Sequence, residues 1–170
     1  MRPVVGVSIE LLVLAAVFGL DFIIPPGLGY FLYVLSAQLL ATYLVHCPAH
    51  YLVGTAVGIR FRSIRLGRTT LARALPPRWG NLARLIPILT LSTDRPSLVR
   101  VSKSKVSTMY LSGTIASSAS AMVVAGAVTL SGSSALIVVS WLVAVGYLLF
   151  DVVFSPRSGD VMRARAAKGP

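Results

Sequence analysis

The chain has 170 residues and carries little charge. Asp, Glu, Lys and Arg make up 12% of it, about half the roughly 25% of soluble globular domains. Acidic residues are scarcest, with 5 Asp and Glu against 16 Lys and Arg. The single cysteine, Cys47, excludes an intrachain disulfide and therefore a disulfide-stapled secreted fold. Because the charge is low and the mean hydropathy is +0.80, intrinsic disorder and an ordinary water-soluble domain are also excluded.

Four apolar stretches fill most of the chain, and each is long enough to cross a bilayer, which takes about 20 apolar residues. They run over about 3–24, 28–58, 107–130 and 133–154. The first is not a typical signal peptide, because its apolar run is too long and contains Glu10 and Asp21. We therefore expect an all-α integral membrane protein, one membrane domain with four transmembrane helices, a loop over 60–106 and a tail over 155–170.

The positive residues lie on one side of this four-span arrangement. Eleven of the 16 Lys and Arg fall in 60–106, four fall in 155–170, and the last is Arg2. This positive-inside pattern predicts a multi-pass protein of the cell membrane, with both termini and the long loop in the cytoplasm. Such charges orient the protein and contact anionic lipid headgroups, so the lipid bilayer, and no nucleic acid, is the expected partner.

The third predicted span has small residues at every fourth position. They are Gly113, Ser117, Ala121 and Ala125. Small side chains at this spacing form a stripe along which two helix backbones approach closely. The stripe therefore predicts that the third span lies at the centre of the bundle.

Two histidines stand four residues apart in the second predicted span, in the run His46-Cys-Pro-Ala-His50. At about 3.6 residues per turn they share one helix face, so their imidazoles can hold one zinc ion. Polar groups in a span are costly and usually mark a functional site. The alternative is a pair bonded to neighbouring helices, and the spacing alone does not decide. Pro48 cannot donate to the Leu44 carbonyl, so the helix should kink or open there.

These residues resemble the site-2 proteases, a family of intramembrane zinc metalloproteases. The metal helix of that family carries H-E-x-x-H, followed eight residues later by a glycine and a short strand. Here Gly58 and the run Ile-Arg-Phe-Arg-Ser-Ile-Arg-Leu follow the histidine pair at that spacing. The small-residue run after Lys105 is similar to the family's next conserved helix. The resemblance covers about residues 28–165.

The last element of the resemblance follows the fourth span. The segment 149–160 stands where the family has N-x-x-P and L-D-G motifs. The resemblance implies that Asp160 is the third zinc ligand beside the two histidines, and that Asp151 replaces the family's Asn. The alternative for Asp160 is a solvent-facing N-cap of a short helix over 161–167.

The chain departs from the family at the catalytic position. In the family, the Glu after the first His is the general base that acts on the zinc-bound water; here that position is Cys47. Losing a positioned general base typically costs about 10²–10⁴-fold in rate. The resemblance therefore implies a degenerate, non-catalytic relative that retains zinc. Two alternatives remain: an active zinc endopeptidase with a replaced base, for which Glu10 is a candidate, and a metal-free accessory subunit of a membrane complex.

The long loop contains two strand-like pieces, over 58–66 and 85–92, and Pro87 restricts the second to an edge strand. In the resembled family a sheet edge here pairs with an extended substrate, so a membrane polypeptide is the expected substrate or partner. The alternative is a loop that lies along the membrane without a ligand. The segment 76–80 predicts a turn, with Trp79 at the level of the lipid headgroups.

Overall fold

The computed structural model of the protein describes residues 1–25, 27–68, 78, 81 and 87–168. Within these residues the chain is mostly helical, with one small antiparallel sheet. The elements in chain order are α1 (Pro3–Gly19), a 3₁₀ turn (Leu20–Phe22), α2 (Leu28–Leu44), α3 (His46–Ala56), β1 (Phe61–Arg68), β2 (Pro87–Thr93), α4 (Arg95–Arg100), α5 (Lys103–Ser131), α6 (Ser134–Ser158) and α7 (Asp160–Lys168).

Within the described residues, three helical stretches are long and apolar enough to span a membrane. They are Leu28–Ala56, Lys103–Leu130 and Ser134–Arg157. Many large apolar side chains on these helices are exposed, among them Leu142 at 66%, which suits a lipid-facing surface. The first expected span corresponds to α1, which is apolar but has only 17 residues before the 3₁₀ turn.

The described parts of the loop expected over 60–106 contain more regular structure than the sequence predicted. Strands β1 and β2 lie close to the predicted pieces and pair antiparallel, with Ile64 opposite Leu91. The short helix α4 was not predicted, and α5 begins at Lys103, four residues before the expected span. The turn predicted over 76–80 cannot be compared, because only residue 78 of that segment is described; Trp79, predicted at the level of the headgroups, lies outside the described residues.

The histidine segment begins a helix of its own. Helix α2 ends at Leu44, Val45 lies in a turn, and α3 begins at His46. Pro48 falls in the first turn of α3, where its missing N–H leaves no helical hydrogen bond unmade. The interruption expected from Pro48 is therefore present, and it places both histidines near the junction of two helices.

Helix α5 is the central helix of the bundle, as the stripe of small residues predicted. It packs against α2, α3, α6 and α7. Ser117, Ala121 and Ala125 of the stripe are completely buried. Beside them the Gln38 Nε2 of α2 donates to the carbonyl oxygens of Ala121 and Ser140, each at 3.0 Å. This amide joins α2 to both α5 and α6 in the interior.

Candidate metal centre

Three side chains meet where the start of α3 approaches the start of α7. The His46 Nε2 lies 2.9 Å from Asp160 Oδ2, and the His50 Nε2 lies 3.1 Å from the same oxygen. The two Nε2 atoms are 3.2 Å apart. No other group of three or more His, Cys, Asp or Glu side chains in the described residues is close enough to share a metal ion. The three residues predicted as ligands are thus brought together.

The tautomer of His50 follows from its partner on α5. Its Nδ1 lies 2.7 Å from the Met109 carbonyl oxygen. A carbonyl oxygen can only accept, so Nδ1 carries the proton and donates, and in the neutral ring Nε2 keeps its lone pair. Gly113, one turn further along α5, packs directly against this ring, and a Cβ there would overlap the imidazole. Glycine at this position lets His50 lie between the two helices.

The tautomer of His46 follows in the same way from a serine. The Ser117 hydroxyl donates its proton to the Thr42 carbonyl oxygen at 2.7 Å. Its oxygen lies 3.1 Å from the His46 Nδ1, and because its proton is already used, it accepts from Nδ1–H. The Nε2 of neutral His46 therefore also has a lone pair, directed toward Asp160.

With both rings neutral, three acceptor atoms converge with no proton among them. Two lone-pair nitrogens and a carboxylate oxygen repel one another unless a cation lies between them. In tetrahedral zinc sites, bonds of about 2.0–2.1 Å place ligand atoms about 3.3 Å apart. The observed 2.9–3.2 Å separations fit such a site.

The other oxygen of Asp160 is bound by an arginine of its own helix. Arg163 Nη1 lies 3.3 Å from Asp160 Oδ1, so Oδ2 is left to the histidines. Asp160 is the first residue of α7, and its carboxylate turns toward α3 with its side chain only 12% exposed. The carboxylate therefore faces α3, and the alternative of a solvent-facing N-cap does not describe it. A cavity of about 300 Å³ adjoins the three residues and Arg163.

Cys47 is buried and engages the sheet. Its thiol donates to the Leu89 carbonyl oxygen at 3.2 Å, and the Leu89 N–H donates to the Tyr43 hydroxyl at 3.2 Å. A thiol that donates a hydrogen bond carries its proton, so Cys47 is not arranged as a base. The residue that the resemblance places at the general-base position thus attaches β2 to α3, the helix that carries both histidines.

Two other carboxylates considered from the sequence are not part of the ligand group. Glu10 is buried, its carboxylate has no hydrogen-bond partner among the described residues, and it does not line the cavity. Asp151, which the resemblance aligned with the family's Asn, accepts from the Ser118 hydroxyl at 2.7 Å. Neither belongs to the group that could share a metal ion.

Sequence reasoning missed three supporting residues. Ser117 was interpreted as part of a packing stripe, and Tyr43 was not singled out. Arg163 was counted only as a positive charge of the tail, although its place three residues after Asp160 is a spacing at which helical side chains meet. That spacing was a usable signal.

Comparison of the chain with protein-family models, with curated proteins and with solved structures finds no match. The resemblance to site-2 proteases therefore rests on the motif residues alone.

Proposed function

We propose that this chain is a four-span membrane protein that binds one zinc ion through His46, His50 and Asp160. In this proposal it is a degenerate relative of the site-2 proteases that binds a membrane polypeptide without cleaving it. The observation that carries the proposal is the convergence of three lone-pair atoms, with both imidazole tautomers set by partners on the far side of each ring. Partners of this kind accompany metal-binding histidines in proteins generally.

The fourth span of the proposal is α1 with its 3₁₀ turn. Seventeen residues at 1.5 Å and three at about 2.0 Å give roughly 31 Å, enough for a hydrocarbon core of about 30 Å. Large apolar side chains of α1 are exposed, such as Leu12 at 70%, whereas Glu10 is buried against the other helices. With four spans, the distribution of positive residues supports a cell-membrane protein with both termini and the sheet in the cytoplasm.

Zinc suits this donor set because imidazole nitrogen and carboxylate oxygen are among its usual ligands. A zinc ion held by three protein ligands keeps a coordination position for another group, which here would come from the adjoining cavity. The chain's own residues orient the ligands: the Met109 carbonyl and Ser117 hydroxyl hold the imidazoles, and Arg163 holds the carboxylate.

The absence of hydrolysis in this proposal rests on the groups around the cavity. A protease of this kind needs a base within hydrogen-bond reach of the attacking water. Cys47 is protonated and bonded to Leu89, and Glu10 does not line the cavity. Residues of β2 do line it, so the site is better suited to holding an extended polypeptide than to cleaving one.

Elemental analysis of the purified full chain in detergent tests the metal. We expect about one zinc per chain, and background zinc in His50→Ala and Asp160→Ala. Asp151→Asn is the matched control, because Asp151 lies outside the ligand group, and it should retain the metal. Zinc in the wild type no higher than in His50→Ala would refute the proposal and leave the metal-free accessory subunit.

A cleavage assay with a membrane-spanning reporter polypeptide tests the second part of the proposal. We expect no cleavage by the zinc-loaded wild type. Cys47→Glu places a carboxylate at the family's base position, and zinc-dependent cleavage by this variant alone would support a degenerate protease. Cleavage by the wild type that stops with a chelator and in His50→Ala would instead establish an active endopeptidase with a replaced base.

A further inference from the structure

One edge of β2 faces the cavity at Leu91. In an antiparallel pair, opposed residues point their backbone groups either toward each other or both away. Ile64 points its groups away from β2: its N–H donates to the Met1 carbonyl at 3.1 Å, and its carbonyl accepts from the Met1 amino group at 3.3 Å. Leu91 lies opposite Ile64, so its N–H and C=O point away from β1, on the side where Leu91 lines the cavity.

The same edge is closed two residues away. The N–H and C=O of Leu89 are bonded to the Tyr43 hydroxyl and the Cys47 thiol. A polypeptide strand added beside β2 could pair with Leu91 but could not continue past Leu89 without breaking both bonds. The backbone groups on this edge can pair with a ligand at Leu91, but those of Leu89 are already bonded. Such an edge suits the end of a polypeptide strand better than its middle.

The charge at the cavity selects which end of a polypeptide fits there. Arg163 lines the cavity and its side chain is 49% exposed. Its guanidinium has five N–H donors, and Nη1 is the nitrogen that contacts Asp160. With zinc bound, one arginine and a divalent ion face a single carboxylate, which leaves the site positive. A terminal carboxylate is attracted there, and a terminal ammonium group is repelled.

We propose that the cavity binds the C-terminal end of an extended polypeptide. The last residues pair with the backbone of Leu91, and the terminal carboxylate is bound by the Arg163 guanidinium beside the metal. This inference rests on the proposed function, because it assigns a ligand class to the same site. A volume of about 300 Å³ is at the small end of ligand pockets, which suits a chain end.

Fluorescence anisotropy with the detergent-solubilised full chain tests the assignment. The probe is a fluorescein-labelled peptide of alternating Val and Ser with a free C-terminal carboxylate. Of two matched peptides, one has a C-terminal amide and the other is extended by four further residues at its C-terminus. Because hydrogen bonds to charged groups are the stronger kind, we expect the free carboxylate to bind at least about tenfold more tightly than either. A peptide N-methylated near its C-terminus should also bind at least about tenfold more weakly.

Variants then assign the carboxylate to its partner. Arg163→Ala should abolish the difference between carboxylate and amide peptides, and Arg163→Lys should restore part of it. Arg165→Ala, an exposed arginine on the same helix, should leave the difference unchanged. Thermal unfolding of each variant verifies that it is folded, and the N-methylated peptide tests strand pairing with the protein unaltered.

Equal binding of the carboxylate, amide and extended peptides would overturn the inference, as would no binding of any of them. Competition by a fatty acid as strong as by the unlabelled carboxylate peptide would also overturn it, because a fatty acid cannot pair with a strand. Zinc content measured on the same samples separates the two proposals. If the protein contains zinc but does not prefer the carboxylate peptide, only the chain-end inference is refuted. If it prefers the carboxylate peptide through Arg163 but contains no zinc, only the metal assignment is refuted.

Discussion

Replacement of Ser117 by Ala removes the group that orients His46 without removing a metal ligand. Ser117 is completely buried, and its hydroxyl accepts from His46 Nδ1 while donating to Thr42. Loss of such a partner typically weakens metal binding by 10–100-fold. We therefore expect the zinc Kd to rise by about 10–100-fold, equivalent to about 1.4–2.7 kcal/mol.

The same loss should be visible in thermal unfolding. At a free zinc concentration 100 times the wild-type Kd, zinc stabilises the wild type by about 2.7 kcal/mol. At that concentration a tenfold higher Kd leaves about 1.4 kcal/mol, and a 100-fold higher Kd leaves about 0.4 kcal/mol. Unfolding with and without zinc, together with competition against a chromophoric chelator, measures both quantities in one detergent.

Ser118→Ala is the matched control for this experiment. Ser118 is the neighbouring residue on α5 and is also buried, but its hydroxyl bonds to Asp151. We expect its zinc Kd to stay close to that of the wild type. If Ser117→Ala binds zinc as tightly as the wild type, or if both serine variants lose zinc equally, the tautomer argument for the metal site is refuted.

Three further substitutions test the packing, each by thermal unfolding in the same detergent. Gly113→Ala should lower the free energy of unfolding by about 1–3 kcal/mol and weaken zinc binding, because the added Cβ overlaps the His50 ring. Gly126→Ala is the control and should do neither, because a Cβ there has no atom within contact distance. Glu10→Leu should raise the free energy of unfolding by about 1–3 kcal/mol, because it removes a buried carboxylate that lacks a hydrogen-bond partner among the described residues. Its zinc content should equal that of the wild type, and a loss of zinc would contradict the separation of Glu10 from the metal ligands. Gln38→Leu should destabilise by about 0.6–1.7 kcal/mol, the range for interhelical hydrogen bonds, and no loss would contradict the role of its amide.

The parts of the fold that the sequence could predict depend on local patterns. Apolar length locates the spanning helices, because a helix in lipid needs an unbroken apolar run. Pro48 predicts the break before α3 because its ring and missing N–H act on the adjacent turn alone. The small-residue stripe predicts the central helix because only small side chains allow close approach.

The parts that the sequence could not predict are contacts between residues far apart in the chain. His46 and Ser117 are separated by 71 residues, and His50 and Met109 by 59. Nothing in the local sequence around either histidine names these partners. From the sequence, Cys47 stands where the resembled family has its general base. Its bond to Leu89, 42 residues away, depends on where the sheet lies against the helices.

The attachment of Leu89 has a consequence for how the two proposed ligands affect each other. Tyr43 and Cys47, which hold Leu89, flank His46 in the chain, so a displacement of β2 is transmitted to the imidazole. If a peptide end at the sheet and a zinc ion on the histidines both bind, their binding free energies are therefore coupled. Such coupling is reciprocal: the factor by which zinc changes the peptide affinity equals the factor by which the peptide changes the zinc affinity.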